Sequence, residues 1–254
     1  MSDKLFHKNK KDSADLQRQQ AKQAVEILVV CEGQTEGDYI RLLRKHWAIE
    51  DKIHIIDASQ YVCIDKFEEI KKKPPKIGNI KYGSSPNNIV NYAIAVAQKR
   101  KTPFKPYAYI FCLFDNDDPI KFAEASQKSK PVRGGKVIKI TSIPCFEYWL
   151  LLHFEKSDAP QGTVKNSIIK LKKYITDYSE DNKRLDDARF QQLCANDGLL
   201  KAEKWAYDLL TKSKQLNTND PSTLMFELMN IFRALKKVQN KKNKMSNASA
   251  SNTL

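Results

Sequence analysis

Acidic residues follow two of the most apolar segments of this chain. Glu32 and Glu36 lie in CEGQTEG, directly after the apolar run EILVVC, and Asp115 and Asp117 lie in DNDD, after YAYIFCLF. Carboxylates repel phosphate and attract it only through a bridging divalent cation. Oxygen ligands without a nearby cluster of His or Cys favour Mg²⁺ or Mn²⁺ over Zn²⁺. Asp115 and Asp117 are two residues apart, so in extended backbone they point to one side and can share an ion or flank two. This pattern indicates metal-dependent chemistry on phosphate esters.

Glu147 is a third acidic feature. It lies in CFEYWLLLHF, where its helical neighbours three, four and seven residues later are Leu, Leu and Phe. A carboxylate on such an apolar face needs a partner. That partner is either a lysine or backbone amide, or the metal site. We interpret Trp149 and His153 of this segment as structural, while His153 could also orient a ligand or shuttle a proton.

The other acidic residues also have a structural interpretation. Glu36 can cap the N-terminus of a helix, and the acidic run 115–118 can form an Asx turn. Two separate acidic strand ends favour the functional interpretation.

The elements that must position these residues alternate between strand and helix. Ser85 is a good N-cap and Pro86 a good first residue for one of the helices. Short β-branched apolar runs predict strands, and amphipathic spacing predicts helices. The predicted strands are 26–31, 53–56, 107–114 and 136–143, and the predicted helices are 35–47, 66–72, 86–99 and 120–126. This order implies an α/β fold with a mainly parallel sheet and helices on both faces. In such a sheet the active crevice lies beyond the carboxyl ends of the strands, where the acidic residues stand.

The second half of the chain is predicted to be helical. No strand pattern recurs after Cys145, and the predicted helices are 145–154, 164–178, 186–194, 198–213 and 222–238. We therefore expect a flexible basic tail over 1–24, an α/β core over 25–145, a helical region over 146–238 packed on that core, and a flexible tail over 239–254.

Composition narrows the function classes. The formal net charge is +14 over 254 residues, which suits a polyanionic partner such as nucleic acid and also aids solubility. No apolar run approaches the roughly 20 residues of a membrane helix, and no signal peptide is recognisable, so we expect a cytoplasmic protein without a membrane partner. The five cysteines show no CxxC pair and are interpreted as reduced core residues.

Four segments together resemble the RloB-like proteins. They are VVCEGQTEGDYI, FCLFDNDD, IPCFEYWLLLHF and NDPSTLMFELMNIF, and the resemblance spans about 26–235. This family belongs to the Toprim superfamily and is found near restriction and other anti-phage genes in prokaryotes. The resemblance implies a Toprim, Rossmann-like core. The usual Asn before the Pro-Cys-Phe-Glu motif is Ile143 here.

The resemblance also implies roles for the acidic residues. Glu32 matches the catalytic Toprim glutamate, Asp115 and Asp117 match the metal-binding aspartates, and Glu36 and Glu147 match acidic positions of the RloB-like subset. The implied activity is a Mg²⁺- or Mn²⁺-dependent nuclease acting on DNA or RNA in anti-phage defence. Catalysis would use Glu32, Asp115 and Asp117, and these three residues would hold the metal ion together with Glu36 and Glu147. Apart from the resemblance, we expect Arg133, Lys136 or Lys139 to contact the flanking phosphates.

Two other functions remain open at this point. One is a nucleic-acid-binding or regulatory subunit of an ATPase-coupled defence complex, with a purely structural acidic site. The other is a haloacid-dehalogenase-type phosphatase with FDNDD as nucleophile loop, although that loop normally follows the first strand. A partner ATPase and further copies of this chain are partners that the sequence leaves open.

Overall fold

The computed structural model describes residues 25–63, 68–100, 106–115, 136–216, 218 and 220–251. In chain order the described elements are β1 (Ile27–Cys31), α1 (Gln34–His46), β2 (Ile53–Ile56), β3 (Tyr61–Val62), β4 (Glu69–Ile70), α2 (Pro86–Lys99), β5 (Tyr109–Asp115), β6 (Lys136–Ile143), α3 (Phe146–Leu151), α4 (Val164–Leu171), α5 (Asp187–Cys194), α6 (Gly198–Gln215), β7 (Ser222–Thr223) and α7 (Met225–Ser251). Short 3-10 turns cover Glu50–Lys52 and Ala195–Asp197.

Five strands form one sheet in the order β2-β1-β5-β6-β7. The first four are mutually parallel, and β7 pairs antiparallel with the end of β6. The predicted α/β fold with a mainly parallel sheet and flanking helices is therefore confirmed. The four parallel strands have their carboxyl ends on the same side of the sheet. We call this side the acidic edge, because Glu32 and Asp115 lie on it; the term does not refer to an edge strand.

Both faces of the sheet are covered, and side chains alternate between them along each strand. Val29 and Phe111 belong to the larger core cluster, which includes α1 and the C-terminal helices. Val30 and Cys112 belong to the second cluster, under α2. Burial on both faces explains why β1 and β5 read as continuous apolar runs.

Local signals fix the ends of α2. The Ser85 side chain accepts a hydrogen bond from the Asn88 N–H at 3.3 Å, and Pro86 is the first helical residue. The predicted cap and start of this helix are confirmed.

The structure departs from the predicted elements at several places. The helix predicted over 66–72 is wrong, because Glu69–Ile70 pairs with Tyr61–Val62 as a small antiparallel ladder. The prediction that no strand follows Cys145 is also wrong, since β7 belongs to the sheet. Helix α4 ends at Leu171 rather than near 178. Helix α7 continues through Ser251, where the sequence suggested a tail. The N-terminal tail and the helix predicted over 120–126 lie outside the described residues.

None of the helices in the described part of the chain is both long enough and apolar enough to cross a membrane.

Candidate functional site

Glu32 and Asp115 are tied together at the acidic edge. Cys31 pairs with Leu113 in the β1–β5 register, and the Glu32 N–H donates to the Leu113 carbonyl at 2.9 Å. The Asp115 N–H in turn donates to Oε2 of Glu32 at 3.1 Å. The sheet register thus brings together two carboxylates that are 83 residues apart in sequence.

Asp115 carries an oxygen that no described residue satisfies. Its Oδ1 is buried and has no hydrogen-bond partner among the described residues, although the nearby Phe146 N–H acts to lower the pKa of this carboxylate. Burial, followed by the negative charges of Glu36, Glu147 and Glu32, raises the pKa of Asp115 well above its usual value. A buried acceptor of this kind calls for a cation or a proton donor as its partner.

Glu36 is buried in the first turn of α1, with 6% of its surface exposed. Burial raises the pKa of Glu36 to about 8, and the charges of Glu147 and Glu32 add to that effect. The side chain folds back toward the N-cap, since a Cβ added to Gly33 would lie 2.7 Å from Oε2 of Glu36. The adjacent backbone N–H of Glu36 acts to lower the pKa of this carboxylate, against the effect of burial. Gly33 thus provides the space that lets Glu36 lie at the acidic edge.

Glu147 reaches the same cluster from α3 and has two described partners. Lys183 Nζ lies 2.9 Å from Oε1 of Glu147, and the Tyr178 hydroxyl donates to the same oxygen at 3.3 Å. A lysine therefore supplies the partner that the apolar position of Glu147 demanded. The charge of Glu147 still acts on Glu36 and Asp115, so it belongs electrostatically to the site.

Lys183 is a member of the site that the sequence analysis missed. Burial alone would lower its pKa, but the charges of Glu147, Cys145 and Asp115 outweigh burial and raise it. Its carbonyl accepts a hydrogen bond from Thr35 Oγ1 at 3.3 Å. Nothing around Lys183 in the sequence marks it, because it follows the polar run YSEDN and its partners are distant in the chain.

Asp57 is another acidic strand end, after β2, and it has a structural role. It is fully buried, and Arg41 Nη1 bonds to its Oδ2 at 2.5 Å. Its Oδ1 accepts from the Ser59 N–H at 2.7 Å and the Gln60 N–H at 3.0 Å. A Cβ on Gly37 would lie 2.0 Å from Oδ2, so α1 needs glycine at that position. With both oxygens engaged, Asp57 is not a free ligand.

Tyr82 fixes the backbone at the end of β1. Its hydroxyl contacts the carbonyl oxygen of Cys31 and lies 3.0 Å from that of Glu32. Burial and the charges of nearby Cys31, Asp57 and the site carboxylates raise the pKa of Tyr82. The residue therefore remains a neutral donor beside Glu32.

His153 and Trp149 are both buried, which suits the structural interpretation of these residues. His153 Nδ1 lies 3.0 Å from the Trp149 carbonyl, which can only accept, so Nδ1 carries the proton and Nε2 accepts from the Tyr39 hydroxyl at 3.1 Å. Burial lowers the pKa of His153 to about 4, which keeps the ring neutral. Trp149 is fully buried against Tyr39 and His153.

Of the remaining candidates, some lie outside the described residues and the others lie away from the acidic edge. Asp117, with its neighbour Asp118, and Arg133 lie outside the described residues. Lys136 is the first residue of β6 and pairs with Tyr109, so it lies at the amino ends of the strands, away from the acidic edge. Lys139 pairs with Cys112 in mid-strand, where burial lowers its pKa.

Carboxylate oxygens at the acidic edge are of the type that a hard divalent cation prefers, but the described residues alone do not form a complete site for one. Glu32, Glu36 and Asp115 offer carboxylate oxygens, the ligands that Mg²⁺ and Mn²⁺ prefer, and Asp115 Oδ1 is buried without a described partner. Among the described residues, no three His, Cys, Asp or Glu side chains form a cluster that could by itself hold a metal ion.

The fold and site define an α/β protein whose parallel sheet carries buried carboxylates at its carboxyl edge. The model of the RloB-like protein family matches residues 27–231. The chain therefore belongs to the RloB-like family, as its motifs suggested. Neither a curated protein nor a solved structure matches the chain significantly.

Proposed function

We propose that this chain is a metal-dependent nuclease that hydrolyses DNA or RNA phosphodiesters in prokaryotic anti-phage defence, in the cytoplasm. The observation that carries the proposal is the buried Oδ1 of Asp115, which no described residue satisfies, beside Glu32 and Glu36 at the acidic edge. Family membership and the Toprim resemblance of the motifs support the reaction class.

Glu32, Glu36 and Asp115 would hold Mg²⁺ or Mn²⁺, together with Asp117 beyond the described residues. Such an ion polarises a phosphoryl oxygen and stabilises the leaving oxyanion. Glu32 serves either as a ligand or as the general base toward the attacking water. The Asp115 N–H orients the carboxylate of Glu32, and the Tyr82 hydroxyl donates to the backbone carbonyl of Glu32.

Lys183 would contribute a fixed positive charge to this chemistry. Its raised pKa keeps the ammonium protonated at neutral pH, and a third of the side chain remains exposed. A cation held among carboxylates can face an incoming phosphate and offset charge that develops in the transition state. Glu147 positions that ammonium and completes the outer part of the site.

The decisive experiment incubates purified protein with plasmid, single-stranded DNA and single-stranded RNA, with Mg²⁺, Mn²⁺ or chelator. We expect cleavage of at least one nucleic acid, dependent on the ion and lost in Asp115→Asn. Cleavage that persists in chelator, or at the parental rate in Asp115→Asn, would contradict the assignment to this site.

A second candidate is a nucleic-acid-binding or regulatory subunit of an ATPase-coupled complex. The pairing of Glu147 with Lys183 and Tyr178 favours it, because a carboxylate satisfied in this way has a structural role. Binding without cleavage under every ion condition would support this candidate.

A further inference from the structure

Much of the net positive charge of this chain comes from one segment that lacks acidic residues. Residues 71–114 contain nine Lys and Arg and no Asp or Glu. Five of these basic residues stand in the connection between β4 and α2, which we call the lysine loop (71–85). They are Lys71, Lys72, Lys73, Lys76 and Lys81.

No carboxylate of the described residues neutralises the five lysines. Each is exposed, and none makes an ion pair with another described residue. Exposed lysines that lack carboxylate partners keep their full charge available to an anionic ligand.

The backbone that carries these lysines is held at several points. The Tyr92 hydroxyl donates to the Pro75 carbonyl at 2.8 Å, and its ring packs edge-on against Tyr82 at 5.5 Å. Ile77 is buried against α2, and Ile77 and Ile80 exchange two backbone hydrogen bonds of 2.9 Å around Gly78, whose φ is +57°. These contacts hold the backbone of the lysine loop in a defined position.

The last part of the lysine loop adjoins the acidic edge. Tyr82 bonds to the carbonyls of Cys31 and Glu32, so Lys81 and its neighbours are attached next to the candidate site. A cluster of carboxylates repels a phosphodiester strand, and an adjacent cationic surface can hold that strand.

From this arrangement we propose that the lysine loop binds the phosphate backbone of nucleic acid and holds the strand beside the acidic edge. This inference rests on the proposed function for its substrate, but binding is separable from cleavage. An anionic membrane fits the loop less well, because membrane-binding loops insert apolar side chains. The large exposed apolar side chains of the described chain, Ile169, Tyr174, Leu200 and Leu216, all lie elsewhere.

The test measures binding in chelator, where cleavage is absent. A variant with the five loop lysines changed to Gln is compared with a control that also loses five exposed lysines. The control changes are Lys165→Gln, Lys172→Gln, Lys173→Gln, Lys204→Gln and Lys214→Gln, at positions that make no ion pair with a described residue. The probes are a labelled 30-nucleotide single-stranded DNA, the same sequence as RNA, its DNA duplex, and phosphatidylserine-containing vesicles.

We expect the loop variant to bind nucleic acid at least about tenfold more weakly at low salt, with a flatter slope of log affinity against log salt. The slope should fall by roughly 0.7–0.9 per lost phosphate contact, whereas the control keeps nearly the parental line. Equal weakening of both variants, no binding of nucleic acid by the parent, or loop-dependent binding to vesicles alone would overturn the proposal.

The two proposals fail differently. A parent that binds through the loop but never cleaves contradicts the nuclease and leaves the lysine loop assignment standing. A loop variant that binds as the parent does, while the parent cleaves, contradicts only the lysine loop assignment.

Discussion

Lys183 lies 2.9 Å from the carboxylate of Glu147, although the two residues are far apart in the chain. Glu147 is in the first turn of α3, and Lys183 lies between α4 and α5 and also accepts a hydrogen bond from Thr35 in α1. Through these two contacts, the segment between α4 and α5 is connected to both α3 and α1. It also places a positive charge whose field lowers the pKa of Glu36.

Replacing Lys183 with Met should destabilise the protein, because it leaves Glu147 buried without its cation. We expect a loss of about 1–3 kcal/mol in the free energy of unfolding, less than for a fully buried pair because Lys183 is partly exposed. Urea denaturation at pH 7 measures it. Adding Glu147→Gln should recover part of the loss. Lys212→Met, which breaks the exposed pair with Asp158, should leave the free energy of unfolding nearly unchanged. Unchanged stability in Lys183→Met would contradict the importance of the pair.

The variant Asp115→Asn should abolish cleavage without unfolding the protein. The raised pKa of Asp115 shows that its charged form is disfavoured in the fold, so thermal stability in chelator should hold or rise. Cleavage rate and melting temperature are measured together, with the exposed Asp181→Asn as control. A clear drop in melting temperature would mean that the carboxylate is structural.

Mg²⁺ or Mn²⁺ should raise the melting temperature of the parent. An ion that binds only the native state stabilises by RT ln(1 + [L]/Kd), or roughly 2.7 kcal/mol at a hundredfold excess over Kd. The shift should shrink in Glu32→Gln/Asp115→Asn, which lacks two of the carboxylates that would hold the ion. Calorimetric scans with and without the ion test this, and the same shift in both proteins would place the ion elsewhere.

His153 should make stability depend on pH. Its pKa is about 4 in the fold against an ordinary 6.5, so the unfolded chain binds more protons between these values. This contribution to stability is complete above pH 6.5 and is lost as pH falls toward 4, amounting to roughly 2 kcal/mol between pH 7 and pH 5.

The measurement compares urea denaturation of the parent and His153→Gln at both pH values. The raised pKa values of Glu36 and Asp115 oppose this trend, because protonating them favours the fold, but they are common to both proteins. The pH dependence of the difference between the two proteins isolates His153. A difference that is constant with pH would contradict the buried, neutral imidazole.

Tyr82→Phe should weaken the site without touching a carboxylate. It removes the donor to the Cys31 and Glu32 carbonyls, for which we expect a loss of about 1–2 kcal/mol in stability. The rate of cleavage at saturating substrate should fall, since Glu32 is less well positioned. The exposed Tyr174→Phe, which loses a bond to Glu155, is the control, and equal activity of the two variants would argue against a positioning role.

The sequence predicted the central sheet well because its strands are buried on both faces. The runs in β1 and β5 are continuous and apolar enough to be read directly, whereas β6 has β-branched residues between its polar ones. The carboxyl ends of parallel strands must share one edge. Glu32 and Asp115 could therefore be placed together before the structure was known. Their meeting is confirmed by the bond from the Asp115 N–H to Glu32.

Features that depend on distant contacts were not predictable in this way. Strand β7 has only two residues, and its pairing with Ser142 and Ile143 comes from tertiary contact rather than a local pattern. Lys183 looks like any surface lysine in a polar stretch. The polar segment before Lys71 suggested a helix, but the pairing of Glu69–Ile70 with Tyr61–Val62 overrides that local preference. The metal-binding and catalytic roles remain predictions.

The late position of β7 has a consequence for the timing of synthesis. The sheet is completed by Ser222 and Thr223, and the acidic edge also depends on Lys183 and on Arg184, which bonds to Asp38 in α1 at 2.5 Å. A ribosome delivers these residues long after β1 and β5, and contacts of such long sequence separation form slowly. We therefore expect a nascent chain to assemble its acidic edge only after Thr223 has left the ribosome, so that any activity of this site would be delayed relative to the synthesis of the central strands.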